Sequence, residues 1–332
     1  MKSINIALIG CGEIAQNFHL PVIRNLPGIR LVAIHDRVGS RAAAIAGKFD
    51  VPYVCETIDE LLEIDEIEAV DICTPTHTHK EVSLAALEAG KHVFIEKPIA
   101  RNHQEAKAIH AAAEKSGKKV MVGMNQRFRS DTMMMKNYVQ MGEIGSVFYA
   151  KAGWIQQTEK RWRQDPRLSG GGVLMDLGLS IIDSLLWIYD FVPVASVEAA
   201  IFNRQTREVE DVAVAMMRFR DGSIATVETS WALFSAATRF YCDVYGSEGS
   251  VRVNPLELYR SEGGLSHPHK SLGLKNKYII HQKSFENELK HFINALQGLG
   301  PIISTTGEAV ESMRIIDALY RSARDGGCVT LD

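Results

Sequence analysis

The chain has 332 residues, which is the length of about two domains. Hydrophobic residues make up 46% and charged residues 23%, close to globular averages, so a disordered, collagen-like or coiled-coil chain is excluded. A net charge of −3 without charged blocks argues against nucleic acid or an anionic membrane surface as the partner. The composition therefore favours a small-molecule ligand.

The sequence carries no strong signal for a membrane span, for a signal peptide or for a metal site. No apolar run approaches the roughly 18 residues that cross a bilayer, and the first residues lead into a strand-like run without a signal-peptide pattern. The five cysteines are far apart and form no CxxC pair. The pairs His77–His79 and His267–His269 have no carboxylate at ligand spacing. We therefore expect a cytoplasmic protein with no disulfide, no membrane partner and no metal.

Short β-branched runs alternate with amphipathic stretches over residues 1–123, which predicts a doubly wound parallel sheet. The predicted strands are Ile4–Ile9, Leu31–His35, Ala69–Cys73, His92–Ile95 and Val120–Gly123.

The intervening helices carry terminal signals. Thr57–Glu60 and Thr78–Glu81 fit the capping box, and Asn102 with Glu105 fits it less strictly. Gly90 and Gly117 follow two helices where a left-handed residue is expected.

Residues 124–332 change rhythm and predict an α+β domain with a large, mostly antiparallel sheet. Helices are predicted over Met133–Met141, Val173–Tyr189, the Phe285–Leu296 stripe and the segment that Thr305 caps. Asp221–Gly222 predicts a hairpin turn, and the Gly- and Ser-rich segment 261–276 predicts a loop. The alternating runs that predict strands are Ala195–Phe202, Val209–Phe219, Ile224–Leu233, Arg239–Tyr245 and Ser250–Val253.

A glycine-rich turn follows the first predicted strand. Gly10, Gly12 and Ala15 form G-x-G-x-x-A, in which they permit a sharp turn, backbone approach to a pyrophosphate and close helix packing, respectively. The amides of Glu13 and Ile14 lie at the helix start, where the dipole favours phosphate. The pattern predicts dinucleotide binding.

Asp36 ends the next strand, where a carboxylate accepts hydrogen bonds from both ribose hydroxyls of NAD. Arg37, Ser40 and Arg41 could instead hold the 2′-phosphate of NADP, which Asp36 would repel. The sequence therefore favours NAD and leaves NADP as the alternative.

A fixed order of motifs extends over most of the chain. Glu96-Lys97-Pro98 closes a strand at the edge where open α/β sheets bind ligands. The other motifs are Gly10–Ala15, Cys73–His79, Gly123–Phe128 and Gly170–Asp176. The chain therefore resembles the glucose-fructose oxidoreductase / inositol dehydrogenase / rhizopine-catabolism (Gfo/Idh/MocA) family. The resemblance implies a Rossmann domain, then an α/β domain with an open sheet often used for oligomer contacts, and NAD(P)-dependent chemistry on sugars and cyclitols.

The resemblance also implies roles for residues. Thr74, Pro75 and His79 would border the nicotinamide half of the cofactor, although His79 could simply support a helix start. Glu96 would hold the nicotinamide ribose, and Lys97 would serve cofactor and substrate. The remaining implied cofactor contacts are Asn125 and the W-R element of Trp162 and Arg163.

The helix after the triple glycine carries candidate substrate contacts. Asp176, Ser180, Asp183 and Trp187 share a face that a polyhydroxylated substrate could satisfy, with a solvent-facing polar stripe as the alternative. Arg127 could bind substrate hydroxyls or phosphate, or form a surface salt bridge.

Ser180 departs from the family pattern D-x-G-x-H-x-x-D, in which the histidine transfers a proton. A serine hydroxyl does not titrate near neutrality, so Lys97 becomes the candidate acid/base. Oxidised nicotinamide would disfavour an ammonium there, and Asp176 would stabilise it.

The leading hypothesis is an oxidoreductase that moves hydride between nicotinamide and a hydroxyl-bearing or keto carbon of a sugar or cyclitol. The alternatives are a glycoside-cleaving enzyme that recycles NAD and a non-catalytic dinucleotide- or sugar-binding regulator. An open sheet with one face to cover also predicts a homodimer or homotetramer.

Overall fold

The computed structural model describes residues 3–157, 162–233, 238–262, 265–272 and 277–331. One unit comprises Met1–Asn125 and Gln282–Val310, and the other comprises Gln126–His281 and Glu311–Asp332. The boundary expected after residue 123 thus lies near the first division, whereas residues 282–310 belong to the first unit.

The first unit contains a six-stranded parallel sheet of order β3-β2-β1-β4-β5-β6. Its strands are β1 Ile4–Ile9, β2 Ile29–His35, β3 Tyr53–Val54, β4 Ala69–Ile72, β5 His92–Glu96 and β6 Val120–Gly123. The order reverses between β1 and β4, and doubly wound sheets bind ligands at the carboxyl ends of strands that flank such a reversal. The predicted Rossmann-type sheet is confirmed.

Two of the three capping residues predicted in residues 1–125 cap their helices. Thr57 forms the predicted capping box with Glu60, and Asn102 accepts the amide hydrogen of Glu105 at 2.9 Å. The prediction for Thr78 is wrong, because Thr78 ends the helical turn Thr76–Thr78 and therefore lacks the extended backbone of a capping residue; its hydroxyl donates to the Thr74 hydroxyl at 2.7 Å. The helices are α1 Leu20–Asn25, α2 Gly39–Phe49, α3 Ile58–Leu62, α4 His79–Glu88 and α5 His103–Ser116; Ala15–His19 form a wide π turn before α1.

The described helices after residue 125 are α6 Ser130–Gln140, α7 Pro166–Ser169, α8 Leu179–Ile188, α9 Lys277–Leu296 and α10 Thr306–Asp325. A second π turn, Leu174–Gly178, leads into α8 and lies against β7, β9 and β10 of the second sheet. By length and hydropathy Pro166–Ile188 could span a membrane, but 94% of its most apolar window is buried inside the protein. It is therefore placed as a core helix.

The second sheet has the order β14-β13-β12-β11-β7-β10-β9-β8-β15, with β10 and β7 parallel and the other described pairs antiparallel. Its strands are β7 Val147–Ile155, β8 Val194–Phe202, β9 Val212–Phe219, β10 Ile224–Ser230, β11 Arg239–Gly246, β12 Gly249–Val253, β13 Leu256–Glu262, β14 Leu265–Leu272 and β15 Val329–Thr330.

Two turn predictions in this sheet have different outcomes. Gly222, with φ of 90°, joins β9 to β10 as expected. The loop predicted over residues 261–276 is wrong for residues 261–262, which end β13, and for Leu265–Leu272, which pair with β13 and form a strand. Residues 263–264 and 273–276 lie outside the described residues.

Candidate active site

The glycine turn lies against the end of β4. Gly10 has φ of 97°, and a Cβ there would lie 2.8 Å from the carbonyl of Cys73, so glycine is required at this contact. At Gly12 an added Cβ would meet only the Cys73 oxygen, at 4.0 Å, which leaves that face of the turn open. Ala15 is fully buried beneath it. Glu13 is exposed and Ile14 half-buried at the helix start.

Asp36 connects this turn to the end of β2. Its two carboxylate oxygens accept the amide hydrogens of Cys11 and Val38, both at 2.8 Å. Arg41 donates to the same carboxylate at 3.2 Å from a side chain that is 46% exposed. Two lone pairs of Asp36 are thus engaged by backbone, and Arg41 can withdraw from the others at little cost. Arg37 is exposed nearby in sequence.

Thr74 and Pro75 follow β4, and His79 is buried behind them. The ring nitrogens of His79 lie 2.8 Å from the carbonyl oxygens of Thr74 and Pro98. His79, the first residue of α4, therefore joins the loops after β4 and β5.

Glu96 and Lys97 are placed at the carboxyl end of β5. Glu96 is 6% exposed, and its Oε2 accepts the backbone amide hydrogen of Lys97 at 3.0 Å. Lys97 itself is half-buried. A Cβ on Gly123 of neighbouring β6 would lie 3.2 Å from Glu96 Oε1, so the glycine leaves room for this carboxylate. Asn125 is buried and donates to Ser284 at 3.0 Å.

In the second unit, the π turn presents Asp176 to Arg163. Arg163 Nε lies 3.9 Å from Asp176 Oδ1, and its guanidinium stacks over the ring of Trp162 at 4.9 Å. Asp176 is half-buried, whereas Ser180 is 4% exposed and donates to the carbonyl of Asp176 at a long 3.4 Å. The hydroxyl of Ser180 is thus directed at its own helix.

Arg127 and Asp183 form a buried ion pair in this unit. Two hydrogen bonds of 2.7 and 2.6 Å join them, and each side chain is 1% exposed. Ser312 also donates to Asp183, at 3.3 Å. The salt bridge offered as an alternative for Arg127 is therefore present, but it is buried and not at the surface.

The contacts that hold the triple glycine, residues 170–172, were not predicted from the sequence. The carboxylate of Glu210 accepts the amide hydrogens of Gly172 and Leu174 and the hydroxyl of Tyr320, all within 2.8–3.1 Å. A Cβ on Gly171 or Gly172 would collide with Tyr320 or Glu210 at 2.1 or 2.0 Å. Burial raises the pKa of Glu210. The glycines are thus needed for close packing at the entry to the π turn.

Comparison with known protein families gives two matches that follow one another along the chain. Residues 4–124 match a family described as oxidoreductase family, NAD-binding Rossmann fold, and residues 136–331 match its C-terminal alpha/beta domain. The chain belongs to the Gfo/Idh/MocA oxidoreductase family. It is therefore an oxidoreductase with an NAD-binding domain, as the motif order indicates.

Family members with known reactions are similar over nearly the whole chain. D-glucoside 3-dehydrogenase of Escherichia coli (strain K12) is 28% identical over 99% of this chain and 97% of its own length. Inositol 2-dehydrogenase of Rhizobium meliloti (strain 1021) is 26% identical over 97% of this chain and 98% of its own. Among solved structures, levoglucosan dehydrogenase with NADH and levoglucosan has a TM-score of 0.90 at 23% identity, covering 99% of both chains.

The family's first domain fits NAD in the geometry of this chain. The open face at Gly12 would leave room for a phosphate, and the lone pairs of Asp36 that the backbone does not engage could accept hydrogen bonds from ribose hydroxyls. The turn lies where the sheet order reverses, between β1 and β4. Gly10–Ala15 and Asp36 would therefore hold the adenosine and phosphates, and the loops after β4 and β5 would border the nicotinamide.

Proposed function

We propose that this oxidoreductase transfers hydride between NAD and a hydroxyl-bearing or keto carbon of a sugar or cyclitol. The observation that carries the proposal is the position of Lys97, a half-buried lysine whose backbone amide donates to Glu96 at the carboxyl end of β5, two strands from the glycine turn. The relatives that are named for glucosides and inositol support the substrate class.

When bound, NAD supplies a nicotinamide carbon that accepts hydride. Lys97, as the neutral amine, takes the proton of the reacting hydroxyl during oxidation and becomes an ammonium group, which returns that proton during reduction. In the second unit, Asp176 and Arg163 are the residues proposed to bind substrate hydroxyls, since they are the partly exposed charged groups of the π turn and its contact. Trp162 lies under Arg163 and keeps its guanidinium oriented. Ser180, buried and directed at its own helix, shapes the site without transferring the proton.

Arg127 and Asp183 act together in this proposal. Each satisfies the other's charge through two hydrogen bonds, so neither needs a substrate hydroxyl as a partner. Their contribution to the substrate is indirect, because the pair holds α8 and hence the π turn that carries Asp176.

The direct test is NADH formation from NAD with a panel of aldoses, glucosides and cyclitols, followed by absorbance. Substrate-dependent NADH with product oxidised at one carbon supports the proposal. Tight NAD binding with no NADH from any member would contradict it and favour the regulator. Glycoside cleavage without net NADH would favour the NAD-recycling enzyme.

Cofactor choice depends on the charge of Asp36. In Asp36→Asn we expect the preference for NAD over NADP to fall about 10- to 100-fold, because unit charges about 4 Å apart interact by roughly 1–4 kcal/mol. The measurement is the ratio of kcat/KM for the two cofactors, in which a general loss of binding cancels. Adding Arg41→Ala should remove the gain, since Arg41 is the neighbouring cation. An unchanged ratio would show that Asp36 does not face the 2′ position.

We further propose that the outer face of the second sheet joins two copies of the chain. Register places Phe202, Val214, Met216, Ile224 and Tyr149 on one face, and Val214 and Phe202 are 48% and 41% exposed. Val214→Glu should lower the mass measured by light scattering, because a carboxylate would be buried at the contact. Leu299→Glu, at an exposed position of the first unit, is the matched control. A monomeric parent protein would contradict this assignment.

A further inference from the structure

A buried histidine lies between two carboxylates behind the Glu96–Lys97 segment. His19, the last residue of the first π turn, is fully buried. Its Nδ1 lies 2.8 Å from Asp71 Oδ2 of β4, and its Nε2 lies 3.0 Å from Glu96 Oε1 of β5. The proposed reaction gives this residue no role.

The two contacts require both ring protons. A carboxylate only accepts hydrogen bonds, so the ring can donate to Asp71 and Glu96 together only as an imidazolium. Burial alone would disfavour that charge, but Asp71 and Cys73 together outweigh it, and the pKa of His19 is raised well above its usual value. The third polar neighbour, Cys73, is a neutral thiol, because burial raises its pKa. The uncharged rings of Phe94 and Phe285 also lie against the His19 ring.

A metal ion would need different spacing. His19, Asp71 and Cys73 each offer a ligand atom within 4.8 Å of the others. Atoms about 2.0–2.3 Å from a tetrahedral zinc lie roughly 3.3–3.7 Å apart. The 2.8 Å between His19 Nδ1 and Asp71 Oδ2 is instead the length of a charge-assisted hydrogen bond.

We infer that His19 is a positioning residue that acts, as a permanent imidazolium, through Glu96 on Lys97. It fixes Glu96 Oε1, and the opposite oxygen of the same carboxylate accepts the backbone amide hydrogen of Lys97. The orientation of that carboxylate therefore sets where the Lys97 side chain begins. The catalytic consequence of this positioning rests on the proposed function of Lys97, whereas the charge state of His19 does not.

The charge state is tested on the protein without cofactor or substrate. Nitrogen-resolved NMR of the histidine rings should show both His19 nitrogens protonated from about pH 5.5 to 8.5, a range over which an unperturbed imidazole loses its proton. A neutral His19 ring, or a midpoint near 6.5, would overturn the inference.

The pH dependence of unfolding is a second, independent test of the charge on His19. A histidine whose pKa is raised on folding contributes stability that is complete below about pH 6.5 and lost as pH rises towards its folded value. The unfolding equilibrium constant of the parent protein should therefore rise about tenfold per pH unit above 6.5, relative to His19→Gln with Asp71→Asn. This double variant keeps a complementary amide pair and removes both charges. The control is His110→Gln, a half-buried histidine bonded to Thr306, which should follow the parent.

Kinetics separate positioning from stability. The double variant should lose about 10- to 100-fold in kcat, as expected when a reacting group is displaced by a fraction of an ångström to 1 Å, while its Kd for NAD stays within about threefold. Retained kcat in the folded double variant would overturn the positioning role. If the parent itself oxidises no sugar, the proposed function fails, and the NMR and unfolding results still decide the charge.

Discussion

Replacing Lys97 by methionine is expected to lower kcat by about 10²–10⁴-fold, the range for loss of a positioned acid/base group. Methionine retains the length and apolar stem of lysine but cannot carry a proton. The Kd for NAD should change little, because the glycine turn and Asp36 lie on other strands. Steady-state NADH formation and a separate titration of cofactor binding measure the two quantities.

Ser180→Ala is the matched control for this experiment. The Ser180 hydroxyl makes one long bond to its own helix, so its removal should lower kcat less than tenfold. If the serine variant lost as much as Lys97→Met, or if Lys97→Met kept its rate, the assignment of the acid/base would have to move to the second unit.

The second large effect concerns the Arg127–Asp183 pair. Asp183→Asn should lower the free energy of unfolding by about 3–5 kcal/mol, because it leaves a buried guanidinium without its charge partner. For a protein of this size the thermal midpoint would fall by roughly 10 °C. Denaturant and thermal unfolding measure the effect.

Two further variants show whether the loss of stability comes from the unpaired buried charge. Asp325→Asn removes an ion pair whose members are both more than 60% exposed, and it should leave the transition unchanged. Replacing the pair together, as Arg127→Met with Asp183→Leu, should recover part of the loss, since no unpaired charge remains. If Asp183→Asn abolished turnover at unchanged stability, Asp183 would instead bind the substrate directly.

Local sequence patterns predicted most of the strands and two of the helix caps of the first unit. The strands of its parallel sheet are short apolar runs bounded by turn residues, and Thr57 and Asn102 cap with a residue three positions away. Thr78 has the same pattern, but it ends a helical turn, so its backbone does not have the extended conformation that a capping residue needs. Residues 265–272 have the composition of a loop and become a strand because β13 offers an edge. Pairing of this kind is not encoded in the segment itself.

In the candidate site, too, some residues could be predicted from local sequence patterns and others could not. Gly10, Gly12, Asp36 and the Glu96–Lys97 step could be found because strand ends place their motifs. His19 could not be matched to its partners, which are 52 and 77 residues away in the chain. A usable signal was Asp71, a charged residue in an otherwise apolar strand.

The two π turns imply that these helices contain an extra residue relative to a regular α-helix. Deleting one residue from Leu174–Gly178 would restore regular winding but turn everything before it by about 100° around the axis relative to α8. Length differences of a single residue at this point would therefore redirect Asp176 without disturbing the anchored end of the helix. Divergence in the compounds accepted by related enzymes can thus arise from insertions and deletions as well as from substitutions.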